Sequence, residues 1–216
     1  MDLIDTLRRK TYGSAQLRWA RWNMERSGLN EMLRNRPSDA IVPQGYDLWN
    51  LYREIRRFKP QKVLEFGIGC STLVMAEALR RNGSGHLYTV EGSQHWLDVT
   101  RRDLTPGQAK YATLIRSDCE VIDMEGERAH RFVTLPDGPF DMIYLDGPNA
   151  PEVPGWGADE LAAAADPILL EESLSSYARI VVDGRARNVT LLKRHLKRRY
   201  RVKTHRLFKV TTFAAI

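Results

Sequence analysis

The apolar positions of this chain gather into five short runs that each end on, or just before, an acidic residue. Val63-Leu64-Glu65-Phe66 is the first, His86 to Val90 leads into Glu91, and Ala112 to Arg116 leads into Ser117-Asp118. Phe140 to Leu145 leads into Asp146, and Arg179 to Val182 into Asp183. Short apolar runs bounded by turn residues predict buried strands. Between them the spacing changes to a helical period. Over 46–58, Leu48, Leu51, Tyr52, Ile55 and Phe58 share one face, and Arg53, Arg56 and Arg57 fall largely elsewhere. Good helix formers fill 72–81 until Asn82-Gly83-Ser84-Gly85 stops them, and 95–104 reads as a further helix. Over 187–199, Val189, Leu192 and Leu196 face inward while Lys193, Arg194, Lys197 and Arg198 face out. Tyr200–His205 and Leu207–Phe213 read as a closing hairpin. Strands that alternate with helices predict an α/β domain around a parallel sheet.

The first strand runs straight into Gly67-Ile68-Gly69-Cys70-Ser71-Thr72. Gly67 and Gly69 let the backbone turn sharply and let a ligand approach where a Cβ would collide, and Ser71 and Thr72 can cap the helix that follows. A bare G-x-G also serves as a mere tight turn. In a parallel sheet, ligands bind outside the carboxyl ends of the strands, so five acids at one end await hydroxyl, amine or cationic groups. Glu91, twenty-four residues after Gly67, suits bidentate acceptance from the two hydroxyls of a ribose, or is an exposed strand end.

This pattern resembles the class I S-adenosylmethionine-dependent methyltransferases from about Ile41 to the C-terminus. The run Pro43-Gln44-Gly45, a helix, then Val63-Leu64-Glu65-Phe66-Gly67-Ile68-Gly69-Cys70-Ser71-Thr72 is most similar to the catechol and caffeoyl-type O-methyltransferases and their bacterial relatives. The resemblance implies a Rossmann-like sheet of seven mostly parallel strands with a C-terminal antiparallel hairpin and helices on both faces. It implies S-adenosylmethionine as cofactor, with Glu65, Gly67, Gly69 and Ser71 at the methionine end, Glu91 at the ribose, and Asp118 with Cys119 at the adenine. Asp118 as a helix N-cap is the competing reading. Asp146 would stand beside the transferring methyl, touching cofactor and acting as base or acceptor-positioning group, with Asp183 the second catalytic candidate. Mg²⁺ held by Asp146 and Asp183 is not favoured: Gly184 stands where the resemblance expects Asn, and no lysine lies just beyond Asp146.

Composition narrows the reading. With 216 residues, 43% of them hydrophobic, the chain can bury one substantial core. Residues 1–40 read as a basic helical extension, a lid or a homodimer interface, broken at Gly13 and Gly28, with Pro37-Ser38-Asp39 as linker; residues 41–216 form the catalytic domain. No apolar run is long enough for a membrane helix, and Asp2 and Asp5 are unlike a signal peptide, so the expectation is a cytoplasmic protein. Cys70 and Cys119 read as free thiols. The middle of the chain is acidic and both ends are basic, with eleven Lys/Arg and no Asp/Glu over 185–216. The functional expectation is methyl transfer to a small-molecule acceptor at oxygen. An RNA-modifying methyltransferase using the basic termini and an inactive binding module are the alternatives. A nicotinamide-dependent oxidoreductase would need glycine at Thr72. Glu120–Val133 reads as irregular, and Asn149–Trp156 as a border of the acceptor pocket.

Overall fold

The computed structural model describes residues 3–34, 36–37, 45–148, 153–156, 163–205 and 208–216, with side chains from Gly13 onward. The linker at Ser38-Asp39, the domain boundary at residues 40 and 41, Pro43-Gln44, Leu207 and residues 149–152 of the stretch from Asn149 to Trp156 lie outside the described residues.

In chain order the elements begin with α1 (Leu3–Arg26), α2 (Leu29–Leu33) and α3 (Gly45–Phe58). The alternating core follows: β1 (Lys62–Phe66), α4 (Cys70–Asn82), β2 (His86–Glu91), α5 (Gln94–Asp103), α6 (Pro106–Ala109) and β3 (Ala112–Arg116). Then come β4 (Cys119–Met124), β5 (Glu127–Phe132), β6 (Phe140–Leu145), α7 (Asp166–Leu169), β7 (Leu174–Asp183), α8 (Ala186–His195), β8 (Tyr200–His205) and β9 (Val210–Ala215).

Seven strands form one sheet in the order β3-β2-β1-β6-β7-β9-β8. β1, β2, β3, β6 and β7 are parallel, and β9 pairs antiparallel with both β7 and β8. The order reverses between β1 and β6, which places a topological switch point at the glycine turn. Strand alternation distributes the core. Val63, Tyr144 and Val181 face α3 and α4 in one apolar cluster, whereas Leu64, Phe66, Ile143 and Val182 face the other side with Leu192 and Phe213. Glu65 therefore shares the α4 face with Val63.

Three readings change. Gly13 does not break the extension: α1 runs through it, and the chain turns only at Gly28, at φ 72°. One glycine costs a helix interior about 1 kcal/mol, which packing of α1 on α3 offsets. The segment called irregular is a separate two-stranded hairpin of β4 and β5, in register from Cys119↔Phe132 to Met124↔Glu127. Its two-residue loop, Glu125-Gly126, has φ of 53° and 86°, the mirror-image turn that matches strand twist. The usual Asn-Gly or Asp-Gly signal is absent there. Because a strand begins at Cys119, Asp118 caps no helix. Among the described residues no helix is long and apolar enough to cross a membrane.

Candidate active site

Gly67 leaves β1 at φ +90°, and a Cβ on it would lie 2.6 Å from the Gly147 Cα. The two loops cross backbone to backbone at the switch point, where the amides of Asp146 and Gly147 both donate to the Phe66 carbonyl, at 3.1 and 2.7 Å. Only glycine permits that approach. Gly69 is different: its backbone is extended, and a Cβ there would meet nothing within 4 Å.

Beneath the turn, Glu65 is fully buried and accepts hydrogen bonds from the hydroxyls of Ser71 at 2.5 Å, Thr72 at 2.7 Å and Thr89 at 2.7 Å. Thr72 in turn accepts from the Gly69 amide at 3.0 Å. Burial pushes the Glu65 carboxyl up to about 8 against the pull of those three hydroxyls. Glu65 and Ser71 thus brace the turn from below. Glu91, 4% exposed, holds the turn from the side, accepting from the Ile68 amide at 3.0 Å and the Ser93 amide at 2.7 Å.

The adenine candidates separate. Cys119 is buried at the start of β4, while Asp118 stands in solvent, 78% exposed, paired with Arg116 at 2.7 Å. The five strand-end acids therefore do not form one cluster: Glu65 is sealed under the turn and Asp118 is engaged outside.

Asp146 and Asp183 do come together, with a third acid that the sequence reading missed. Asp183 accepts from the Tyr144 hydroxyl at 2.8 Å. Burial, then the neighbouring charge of Asp183, push Asp146 up to about 7, and burial raises Asp183. Asp47, in the first turn of α3, is likewise pushed up to about 7 by burial and then by Asp183 and Asp146. In sequence Asp47 reads only as a helix-start acid, a favourable place beside the helix dipole. Its Oδ1 is buried and accepts no hydrogen bond from the described residues. Asp47, Asn50, Tyr144, Asp183 and Thr212 line a cavity of about 30 Å³ under this group. Arg185, also missed, donates to the carbonyls of Asp146 and Pro148, the latter at 2.8 Å, with Nε 4.0 Å from the Asp146 carboxylate. It moderates the excess negative charge. Among the described residues no three acidic, histidine or cysteine side chains are grouped so as to hold a metal ion.

A glycine turn at the switch point of a parallel sheet, beside poised carboxylates, is where nucleotide-type ligands bind in α/β folds. Residues 64–174 match the sequence family described as a methyltransferase domain, and the chain belongs to that family. No curated protein matches it. The fold is similar to that of an O-methyltransferase from Bacillus cereus in complex with SAH, at 16% identity and TM-score 0.51, covering 88% of this chain and 90% of that one. It is also similar to SAH-bound Podospora anserina methyltransferase PaMTH1, at 17% identity and TM-score 0.53, covering 94% and 86%. A third is an O-methyltransferase from Streptomyces achromogenes in complex with SAM, at 16% identity and TM-score 0.50, covering 93% and 89%. At these identities the likeness establishes the Rossmann-like methyltransferase fold.

Proposed function

We propose that this chain transfers a methyl group from S-adenosylmethionine to an oxygen of a small-molecule acceptor. The observation that carries the reading is the braced turn at the switch point: the Glu91 carboxylate holds the Ile68 amide at the end of β2, and a Cβ on Gly69 would meet none of the described residues within 4 Å. The residues fit the cofactor, and the neighbours in complex with SAH and SAM support it. Gly67, Gly69 and the Glu65–Ser71 pair would shape the methionine end, Glu91 would take the ribose hydroxyls, and Asp118 with Cys119 would border the adenine. Asp118 would have to exchange Arg116 for the base. When bound, the cofactor supplies an electrophilic methyl, so the protein must chiefly align the acceptor, worth about 7–11 kcal/mol in favourable cases.

Asp146 would accept the acceptor's hydroxyl proton, since a base near 7 matches proton transfer at neutral pH. Burial first, and then the charge of Asp183, hold Asp146 at that value against the pull of Arg185. No step is routed through a metal. Residues 41–216 carry the cofactor site in this reading, and the N-terminal helices form an outer wall.

The test is calorimetric titration with S-adenosylmethionine and S-adenosylhomocysteine, repeated on Glu91→Ala, with NADH as control. Micromolar binding that the substitution abolishes supports the reading. Failure of both adenosyl ligands to bind the folded protein sinks it.

A further inference from the structure

A groove distinct from the strand-end acids runs between α1 and α3. It is an open groove of about 390 Å³ lined by Ala15, Gln16, Trp19, Tyr46 and Arg53, a volume within the roughly 300–1,000 Å³ of small-molecule sites. Its walls are aromatic. Trp19 is 42% exposed and is held edge-on against Trp49, with centroids 6.1 Å apart. Tyr46 is stacked on Phe208 at 3.7 Å, so both rings are already fixed before a ligand arrives.

Two polar groups in the groove lack the partners their chemistry calls for. Arg53 lies over the Trp19 ring at 5.1 Å and makes no ion pair among the described residues. A guanidinium so placed still offers a planar fork of donors suited to a carboxylate. The Gln16 Oε1 is buried and accepts no hydrogen bond from the described residues. Among the described residues, a cation without an ion pair, two held rings and a carbonyl oxygen without a donor describe the complement of an aromatic acid that carries a hydrogen-bond donor.

We propose that the α1–α3 groove is a binding subsite for an aromatic acid, in which Arg53 takes the carboxylate, Trp19 and Tyr46 take the ring, and the Gln16 carbonyl takes a hydroxyl or ring N–H. The proposal goes beyond the methyltransferase reading and does not depend on it. It gives the N-terminal extension a ligand-binding role.

The experiment uses full-length protein labelled with 5-fluorotryptophan, the Trp19 resonance being assigned from Trp19→Phe. Saturated with S-adenosylhomocysteine, it is titrated with 4-hydroxybenzoate, 3,4-dihydroxybenzoate and indole-3-acetate, and with the methyl ester of each. At least one acid should move the Trp19 signal saturably and bind about tenfold or more tighter than its ester, as a charge-assisted hydrogen bond implies. Arg53→Gln should erase that preference, and Arg53→Lys should keep part of it. Three outcomes overturn the proposal: no acid perturbs Trp19, acid and ester bind alike, or Arg53→Gln retains the preference. The same titrations without the adenosyl ligand, and its binding measured separately, keep a failure of the groove distinct from a failure of the cofactor reading.

Discussion

Glu91 binds the amide of Ile68 at 3.0 Å, tying the end of the second strand to the glycine turn that leaves the first. The same carboxylate secures Ser93, the N-cap of α5, at 2.7 Å. One side chain thereby fixes two loops beside Gly69.

Glu91→Ala leaves two backbone amides without that acceptor, a loss of about 1–3 kcal/mol each when such groups stay buried. Urea unfolding should register the loss, and calorimetry should show adenosyl-ligand binding gone. Glu91→Gln, which keeps a carbonyl oxygen, should recover more stability than affinity.

The two glycines of the turn should respond oppositely to alanine. Gly67→Ala drives a Cβ to 2.6 Å from Gly147 at a φ of +90°, so thermal unfolding should show a loss of stability. Gly69→Ala meets nothing within 4 Å and should leave stability within about 0.5 kcal/mol of the parent. Its methyl group enters the proposed cofactor space, and S-adenosylhomocysteine affinity should fall. Unchanged affinity would place the cofactor elsewhere.

Methyl-transfer rate should rise with pH through about 7, where Asp146 loses its proton. Asp146→Asn should lower kcat by about 10²–10⁴-fold. Asp183→Asn removes a negative neighbour that raises Asp146, so the acidic limb of the pH profile should move to lower pH. A limb that stays in place would argue against Asp146 as the base.

Stability should fall as pH rises from about 4 to about 8 and level off above that. Burial, first among the causes, raises Asp47, Asp146 and Asp166 to about 7 and Glu65 to about 8 in the folded chain. Across this window the unfolded carboxylates ionise first, so the folded state binds more protons, and its advantage is lost as pH rises through the folded values. His130, held down to about 4 chiefly by burial, acts in the opposite sense only as pH falls below its unfolded value. Asp166 accepts from the Phe132 amide through Oδ1 at 2.9 Å, while Oδ2 is buried without a donor. Asp166→Asn should therefore flatten part of the decline in denaturation curves taken across the window.

Arg36 and Asp103 form a pair whose side chains are 3% and 10% exposed, at 3.3 Å. Arg36 also donates to Thr100 at 3.2 Å. Breaking a buried pair from one side costs about 3–5 kcal/mol, and Arg102, 3.2 Å from Asp103, should hold Arg36→Ala to the lower end. Limited proteolysis should then cut the N-terminal helices faster than in the parent.

Local patterns determined the element order, because strand alternation, helical period and glycine stops act within a few residues. That is why β1, the turn and α4 were legible, and why the parallel strands and the closing hairpin fell where expected. The hairpin of β4 and β5 escaped because Glu125-Gly126 is a weak turn signal. What the sequence could not determine was which strand-end acids share a space. Glu65 went under the turn because alternation put it on the α4 face, against three hydroxyls. Asp118 went into solvent with Arg116. Asp47 reached Asp183 from α3 because helix packing on the sheet brought together residues far apart along the chain, and no local rule encodes that distance.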